Sequence, residues 1–561
     1  MNHHLSLRSK ITIMISVMAS LFLVALDQTI ISTALGTIVQ EFNAFSSLSW
    51  IVTAYLITTT ITIPIAGKLS DLYGRRNILL IGVGIFTAAS LMSGMSSDVT
   101  QLILWRAVQG IGGGIITANA FTIVGDLFAA RERGKWQGMI GAVFGIASVV
   151  GPLLGGFLTE SHGIFGLVTD WRWTFFINIP IGIAALTVIG IFCPPLKHDN
   201  RPRVDYLGAA LLALALGTLI LAVDNTESIF ANVMTTFNLT LVELRVIMFA
   251  IIAVAVAALV WVEKRAQEPI IQLNFFKNRN YLLIMAIAAL VGAAMLGSIL
   301  YLTQFNQQVF LASPTTSGLM LLPMIGGLMA ASVITGQLVS KFGHYKRLMT
   351  IGFVIGTVSL ALLTTLTPTS PFLQEALIMV GVGIGIGVAM PLLTIAVQAE
   401  FSQKELGQAT SSSQLFRGLG STIGTAVFGS MLTLGIASAL PDMHQDNYVQ
   451  QLSQSAEVQK LGDIYDANTL LNINTPTMKT AADEAVSKSV ESLPAPVAKN
   501  VTETFETNQQ AFSDKIVTAF AKSMHSIFIV TSLLMGVALV LSLFLKERVL
   551  AKASPLTTPG E

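Results

Sequence analysis

Charge is scarce in this chain. Only 11% of its 561 residues are Asp, Glu, Lys or Arg, against 53% apolar ones, whereas a soluble protein carries about a quarter charged residues. That scarcity excludes a soluble globular domain and identifies an all-α polytopic membrane protein. A single cysteine, Cys193, excludes an internal disulfide and any Cys-x-x-Cys metal or redox site. No Gly-x-x-x-x-Gly-Lys segment occurs. The glycine clusters 110–114 and 381–387 follow no strand of a soluble βαβ unit, so they are expected to serve close helix packing and not phosphate binding. With no nucleophile–base set and no metal-ligand spacing, the chain is not expected to be an enzyme, to hold a metal or cofactor, or to bind nucleic acid. The net charge of +1 says nothing about partners, because in a membrane protein sign is distributed by side of the bilayer.

What the chain has is long apolar runs. Runs of about 20 residues match the bilayer core, and fourteen are placed near 11–35, 48–66, 77–97, 101–125, 136–158, 173–193, 205–224, 244–262, 281–302, 317–339, 348–366, 373–398, 407–438 and 524–545. The first is too long for a signal h-region and contains Asp27, so it is expected to remain as an anchor, with no soluble domain ahead of it. Short loops alternate between cation-rich (Lys68/Arg75/Arg76, Arg131/Arg133/Lys135, Lys197/Arg201/Arg203, Lys264/Arg265/Lys277/Arg279, Lys341/Lys346/Arg347, Lys404, Lys546/Arg548/Lys552, with Arg8 and Lys10 on the same side) and nearly cation-free, apart from Arg172. The positive-inside rule then puts both termini in the cytoplasm of a cell (plasma or inner) membrane.

An internal echo organises these spans. GKLSDLYGRR, Gly67 to Arg76, is repeated weakly as GQLVSKFGHYKR, Gly336 to Arg347, with glycines seven apart in both copies (Gly67/Gly74, Gly336/Gly343). Duplicated halves are a common transporter design. The reading is an N-terminal six-helix half at 1–195, a two-helix insertion at 196–268, a C-terminal half at 269–545 and a tail at 546–561. PPLKHDNRPRVD, 194 to 205, is the polar boundary. A polar stretch at 441–522 stands on the other side from the termini. Within it Val497, Val501, Phe505, Phe512, Ile516 and Phe520 fall on one helical face, so a helical outer hairpin running into span 14 is expected.

Asp27 is the acid found well within an apolar run. An intramembrane carboxylate costs on the order of 3 kcal/mol when charged, and by default it is functional. The alternative is a structural hydrogen bond in an outer polar vestibule. At 1.5 Å per residue Asp27 lies roughly 24 Å up span 1, and Arg106 roughly 22 Å up span 4. The two are level, and an electrostatic pair is expected in which Arg106 tunes the proton affinity of Asp27.

The two glycine-bearing repeats, together with RAVQG (Arg106 to Gly110), GIASVVGPLLGG (145 to 156), LDQTIISTAL and WRWTFFINIPIG (Trp171 to Gly182), resemble the major facilitator superfamily. They are most similar to its fourteen-span drug:proton antiporter family, and the resemblance covers spans 1 to 14, densest in the first six. It implies two six-helix halves with two inserted helices. Gly67, Asp71, Gly74 and Arg75 would form a conformational latch, with a solvated turn as the plain alternative. Gly151, Pro152, Gly155 and Gly156 would form the span-5 antiporter element, where a mid-helix proline kinks the helix. The implied activity is export of hydrophobic or amphipathic small molecules by a monomer in a lipid bilayer, exchanged for protons, with no cofactor.

Arg417, about ten residues into span 13, has Gln414 one turn before it; the pair reads either as substrate contact or gate, or as an interhelical anchor. Asn178, Tyr301, Gln304 and Phe305 are further candidates for a substrate cavity. Exporters of cationic drugs often carry more acids in later spans, and here Glu375, Glu400 and Glu405 lie at span edges. Divalent cations are therefore poorly served, while monovalent, neutral and anionic amphiphiles all remain admissible. A dedicated exporter or flippase of one lipid, siderophore or metabolite would show the same helices. A non-transporting sensor would account for 441–522, as would a docking partner for that segment, but a sensor would not account for Asp27.

Overall fold

A computed structural model describes residues 6–550, without 43–47, 160–162, 165–166, 194–204, 224–225, 311, 313, 404, 440–442, 454–463, 466, 475 and 491–493. The polar boundary at 194–205 (save Asp205), Lys404, parts of the 441–522 stretch and the tail beyond 550 thus lie outside the described residues. Fourteen described helices are long and apolar enough to cross a membrane: Leu7–Ile31, Trp50–Tyr73, Arg75–Gly94, Val99–Leu127, Arg133–Thr159, Trp173–Phe192, Tyr206–Val223, Leu241–Glu263, Arg279–Gln308, Thr316–Phe342, Lys346–Thr365, Phe372–Glu400, Leu406–Ile436 and Ala495–Leu543. They are spans 1 to 14 below. Among the described residues the fold is all-α apart from a two-residue antiparallel ladder that pairs Gly163 with Val168 and Ile164 with Leu167.

Glycine explains how these helices approach one another. In the 110–114 cluster of span 4, a Cβ on Gly110 would lie 2.5 Å from the Tyr55 carbonyl of span 2, and one on Gly112 2.6 Å from the Phe86 nitrogen of span 3. In the 381–387 cluster of span 12, a Cβ on Gly383 would meet the Met324 carbonyl of span 10 at 2.0 Å, and one on Gly385 would meet Gly356 of span 11 at 2.5 Å. Each cluster therefore seats its span between the second and third helices of its own half. This is backbone-to-backbone contact of the kind small residues allow in a bilayer.

The inserted spans 7 and 8 pack on each other, and span 7 packs against spans 2 and 13. Their burial is low, 33% and 22% of the apolar window, as befits helices at the lipid-facing edge. Leu212, Leu216 and Leu259 from this pair meet Ile270 and Leu415 in one apolar cluster.

The described residues of the insertion at 441–522 form short helices over the start of span 14. Asp446 caps one of them, accepting from the amides of Tyr448 (3.0 Å) and Val449 (3.2 Å), and Lys515 Nζ pairs with it at 2.9 Å. Tyr448, Leu470, Ile473, Phe505, Phe512 and Ile516 form its core. Val497 and Val501, read with them as one face, are 47% and 41% exposed, because the helix extends past the small core that covers its lower turns.

Candidate functional site

The two halves meet tightly at the end of the molecule that carries the cation-rich loops. Span 5 presents Gly134, Gly138, Gly141 and Gly145, a stripe at i, i+4, i+7 and i+11, to span 10. A Cβ on Gly138 would lie 2.4 Å from the Ser332 carbonyl, and one on Gly336 2.2 Å from the Gly134 carbonyl. Ser332 Oγ donates to the Gly138 carbonyl at 3.0 Å. Span 2 repeats the arrangement with span 13, where a Cβ on Gly67 would strike Ser411 Oγ at 2.2 Å. The second helix of each half thus grips the fifth helix of the other. The span-5 glycines that make this seam were not among those singled out from sequence, although their helical spacing would have revealed them.

GKLSDLYGRR is less of a loop than its sequence suggests. Span 2 stays helical to Tyr73 and span 3 begins at Arg75, so Gly74 alone turns the chain, at φ 96. The matching glycine of the repeat, Gly343, has φ 78, and these two are the positive-φ glycines among the described residues. Both turns use backbone angles that L side chains avoid. Asp71 and Arg75 form an ion pair buried at the end of span 2. Arg75 also donates from Nε to Asp126 Oδ2 at 2.8 Å and from Nη1 to Ser70 Oγ at 2.5 Å. A Cβ on Gly407, in the first turn of span 13, would be 2.4 Å from both Asp71 oxygens. The carboxylate therefore sits against the positive end of a helix of the opposite half. At the equivalent point of the repeat, Arg131 Nε donates to the Ser340 carbonyl at 2.8 Å, and its Nη2 donates to the Lys341 carbonyl, capping span 10 from the other half. Asp126 and Arg131 were missed in the sequence, since only the fold brings them 51 and more than 200 residues along the chain to their partners.

Deeper in the N-terminal half lies a dry polar cluster. Arg106 Nη1 is 2.5 Å from Asp27 Oδ2, with 1% of either side chain exposed. Gln109 Nε2 donates to Asp27 Oδ1 at 2.8 Å and Asn178 Nδ2 at 3.3 Å. Arg106 Nη1 also donates to Gln109 Oε1 at 2.8 Å, while Gln109 and Asn178 both donate to Ser90 Oγ, at 2.8 and 2.9 Å. Tyr55 lies under the guanidinium, 4.4 Å from ring centroid to Cζ. A buried charge pair is tolerable only when its remaining donors and acceptors are satisfied, and here spans 1, 3, 4 and 6 supply them. Asn178 thus joins Asp27 and does not line an open cavity.

Two residues beyond Asp27, Thr29 Oγ1 donates to the Ala147 carbonyl of span 5 at 3.0 Å. A Cβ on Gly151 would lie 2.0 Å from that hydroxyl. Pro152 lies inside span 5 and Gly155 is buried, but Gly156 has nothing within 4 Å of where its Cβ would stand. Gly151 therefore packs against Thr29 of span 1, two residues along the helix from the buried acid.

The span-9 candidates separate. Tyr301 donates to the Thr425 carbonyl at 3.2 Å and meets Phe428 edge-on at 5.9 Å. Phe305 is fully buried against Phe310 and Phe528. Gln304 is exposed on another face, so the three do not share a cavity wall. Arg417 stands at the junction of spans 4, 9 and 13, its Cζ 5.7 Å from the Phe121 ring centroid. Gly292 lets span 9 pass close to it. Gln414 is buried one turn away.

Fourteen apolar helices, two interlocked halves and a charge pair walled inside one of them define a polytopic helical membrane protein of the transporter kind. The chain belongs to the Major Facilitator Superfamily, whose family model matches residues 17–425. It is 33% identical to the multidrug transporter protein MdtP of Bacillus subtilis over 96% of this chain and 94% of that protein. To multidrug resistance protein 3 of the same organism it is 32% identical, over 85% and 90%. Among solved structures it superposes on the proton:xylose symporter XylE with a TM-score of 0.54 at 16% identity, over 75% of this chain and 88% of that one. A bacterial homolog of the human lysosomal transporter Spinster gives the same TM-score at 13% identity, over 96% and 97%. Fourteen spans fit the fourteen-span drug-transporter branch.

Proposed function

We propose that this protein is a proton-driven antiporter that exports hydrophobic or amphipathic small molecules by alternating access. The observation that carries the reading is the Asp27–Arg106 pair, a carboxylate sealed from water in the membrane interior with a cation in contact. Protonation of Asp27 releases Arg106 and leaves one uncompensated charge; deprotonation restores the pair. Each step changes the electrostatics around span 1, which touches span 5 through Thr29 and Gly151 and so reaches the seam between the halves. The curated relatives named as multidrug transporters support the export of varied substrates.

Sidedness follows from the cation-rich loops, which by the positive-inside rule face the cytoplasm together with both termini. The glycine seam and the Asp71–Arg75–Gly407 contact then close the cytoplasmic side. One elementary charge moving through 100 mV supplies about 2.3 kcal/mol, enough for one proton per cycle to sustain a concentration ratio of tens.

The test is energy-dependent efflux of a lipophilic fluorescent dye from vesicles, wild type against Asp27→Asn at equal membrane abundance. Efflux lost in the variant supports the reading. Equal efflux in both places the coupling proton elsewhere and ends it.

A further inference from the structure

We propose that Arg417 is the specificity-determining contact of the transport path and that it selects anionic amphiphiles, a carboxylate or sulfonate joined to an apolar body. This rests on the efflux reading and names the class of molecule it serves.

The two deep cations are placed very differently. Arg106 gives its charge to Asp27 at 2.5 Å and also donates to Gln109 and the Ile51 carbonyl. Arg417 sits about 16 Å up span 13 from Leu406 at 1.5 Å per residue, and among the described residues no acid or hydrogen-bond acceptor engages it. Even Gln414, one turn away, is buried with its side-chain oxygen unpartnered; the two side chains do not satisfy each other. A guanidinium is always charged and carries five donors in a planar fork that matches a carboxylate or sulfonate. Held in the membrane interior without an acceptor from the protein, such a group is costly unless a ligand meets it.

Its surroundings suit that ligand. Arg417 is half-buried, not sealed, and it belongs to the C-terminal half while the ring it faces, Phe121, belongs to span 4 of the N-terminal half. A molecule bound there touches both moving bodies, where a transported substrate has to sit. Gly292 is shaped for this position, since a Cβ on it would collide with the Arg417 carbonyl at 2.1 Å and crowd its Cγ at 3.1 Å. Beside the cation the contacts are an aromatic ring and a bare backbone, which would hold an apolar body. With Asp27 neutralised by Arg106, the uncompensated deep charge is positive. That favours an anion and opposes a cation.

The test is calorimetric titration of the full chain in lipid nanodiscs at pH 7.5 with 1-naphthylacetate and with 1-naphthylacetamide, which share a ring and differ in charge. Wild type is expected to bind the acid at least tenfold more tightly than the amide. Arg417→Gln is expected to weaken the acid tenfold or more while leaving the amide within twofold, and Arg417→Lys to restore part of the preference. Equal affinities in wild type, no binding of the acid, or equal loss of both ligands in Arg417→Gln would overturn the proposal. Failure of the coupling reading is separately visible: dye efflux indifferent to Asp27→Asn alongside an intact acid preference removes Asp27 as the coupling site and leaves Arg417 its role.

Discussion

Arg106 Nη1 lies 2.5 Å from Asp27 Oδ2, and Gln109 touches both, accepting from the arginine and donating to the carboxylate. Removing one partner of a buried pair leaves the other charge unpaired in a medium that cannot solvate it, at a cost of about 3–5 kcal/mol. Arg106→Ala is therefore expected to lower the melting temperature of the purified protein sharply. Asp27→Asn/Arg106→Gln, which removes both charges, is expected to regain much of the loss without regaining transport. Thermal unfolding of the three proteins checks this. A double variant less stable than Arg106→Ala would contradict the pair's energetics.

The seam between the halves gives a conformational prediction. Gly336→Ala and Gly138→Ala place a methyl within 2.2 and 2.4 Å of backbone atoms that cannot retreat, whereas Gly156→Ala meets nothing. The first two should drive spans 5 and 10 apart at the cation-rich end and shift the population toward a form open there. The third should behave as wild type. Cysteine accessibility on that side, or spin-label distances between spans 5 and 10, reads the shift. Equal behaviour of all three would mean the seam does not hold the closed form.

The paired turns predict a stability effect with a ranking. Gly343 has φ 78 and ψ 6, a left-handed geometry an alanine enters at roughly 1 kcal/mol. Gly74 has φ 96 and ψ 136, a region still less open to a residue with a Cβ. Gly74→Ala is expected to cost more than Gly343→Ala, measured as the shift in thermal midpoint. The reverse order would show that the turn's surroundings, and not its backbone angles, set the cost.

The spans were legible because a bilayer leaves little choice: a run of about 20 apolar residues has one stable form. The Asp27–Arg106 pair was legible for a related reason, since helical rise converts position into depth and two opposite charges at one depth have strong cause to meet. Ser90 and Gln109 were not legible as partners in the Asp27 cluster, because neutral polar residues in a membrane helix look alike until the fold shows which neighbour they face. Asp126 and Arg131 lie in the cation-rich loops and span ends, where charge is expected on grounds of sidedness alone. Tyr301, Gln304 and Phe305 misled through spacing: 301 and 305 share a face four residues apart, and 304 falls on the next one.

At the opposite end of the molecule, Glu41 offers a pH test. Its Oε1 accepts from Arg172 Nη2 at 2.9 Å and its Oε2 from Trp171 Nε1 at 2.6 Å. The hydrogen bond from Arg172 holds its pKa below the ordinary glutamate value, against burial that pushes it up, with Trp171 and the Arg172 charge adding to the lowering. A carboxyl with a depressed folded pKa contributes stability above its unfolded pKa, near 4.3, and that contribution disappears as pH falls through the lower folded value. With 43% of the Glu41 side chain exposed, solvent screening keeps the amount under about 1 kcal/mol. Glu41→Gln should therefore lower the melting temperature slightly at pH 7, with the gap to wild type narrowing progressively below about pH 5. A gap that persists unchanged into acid, or widens there, would show that the side chain acts by packing and not by charge.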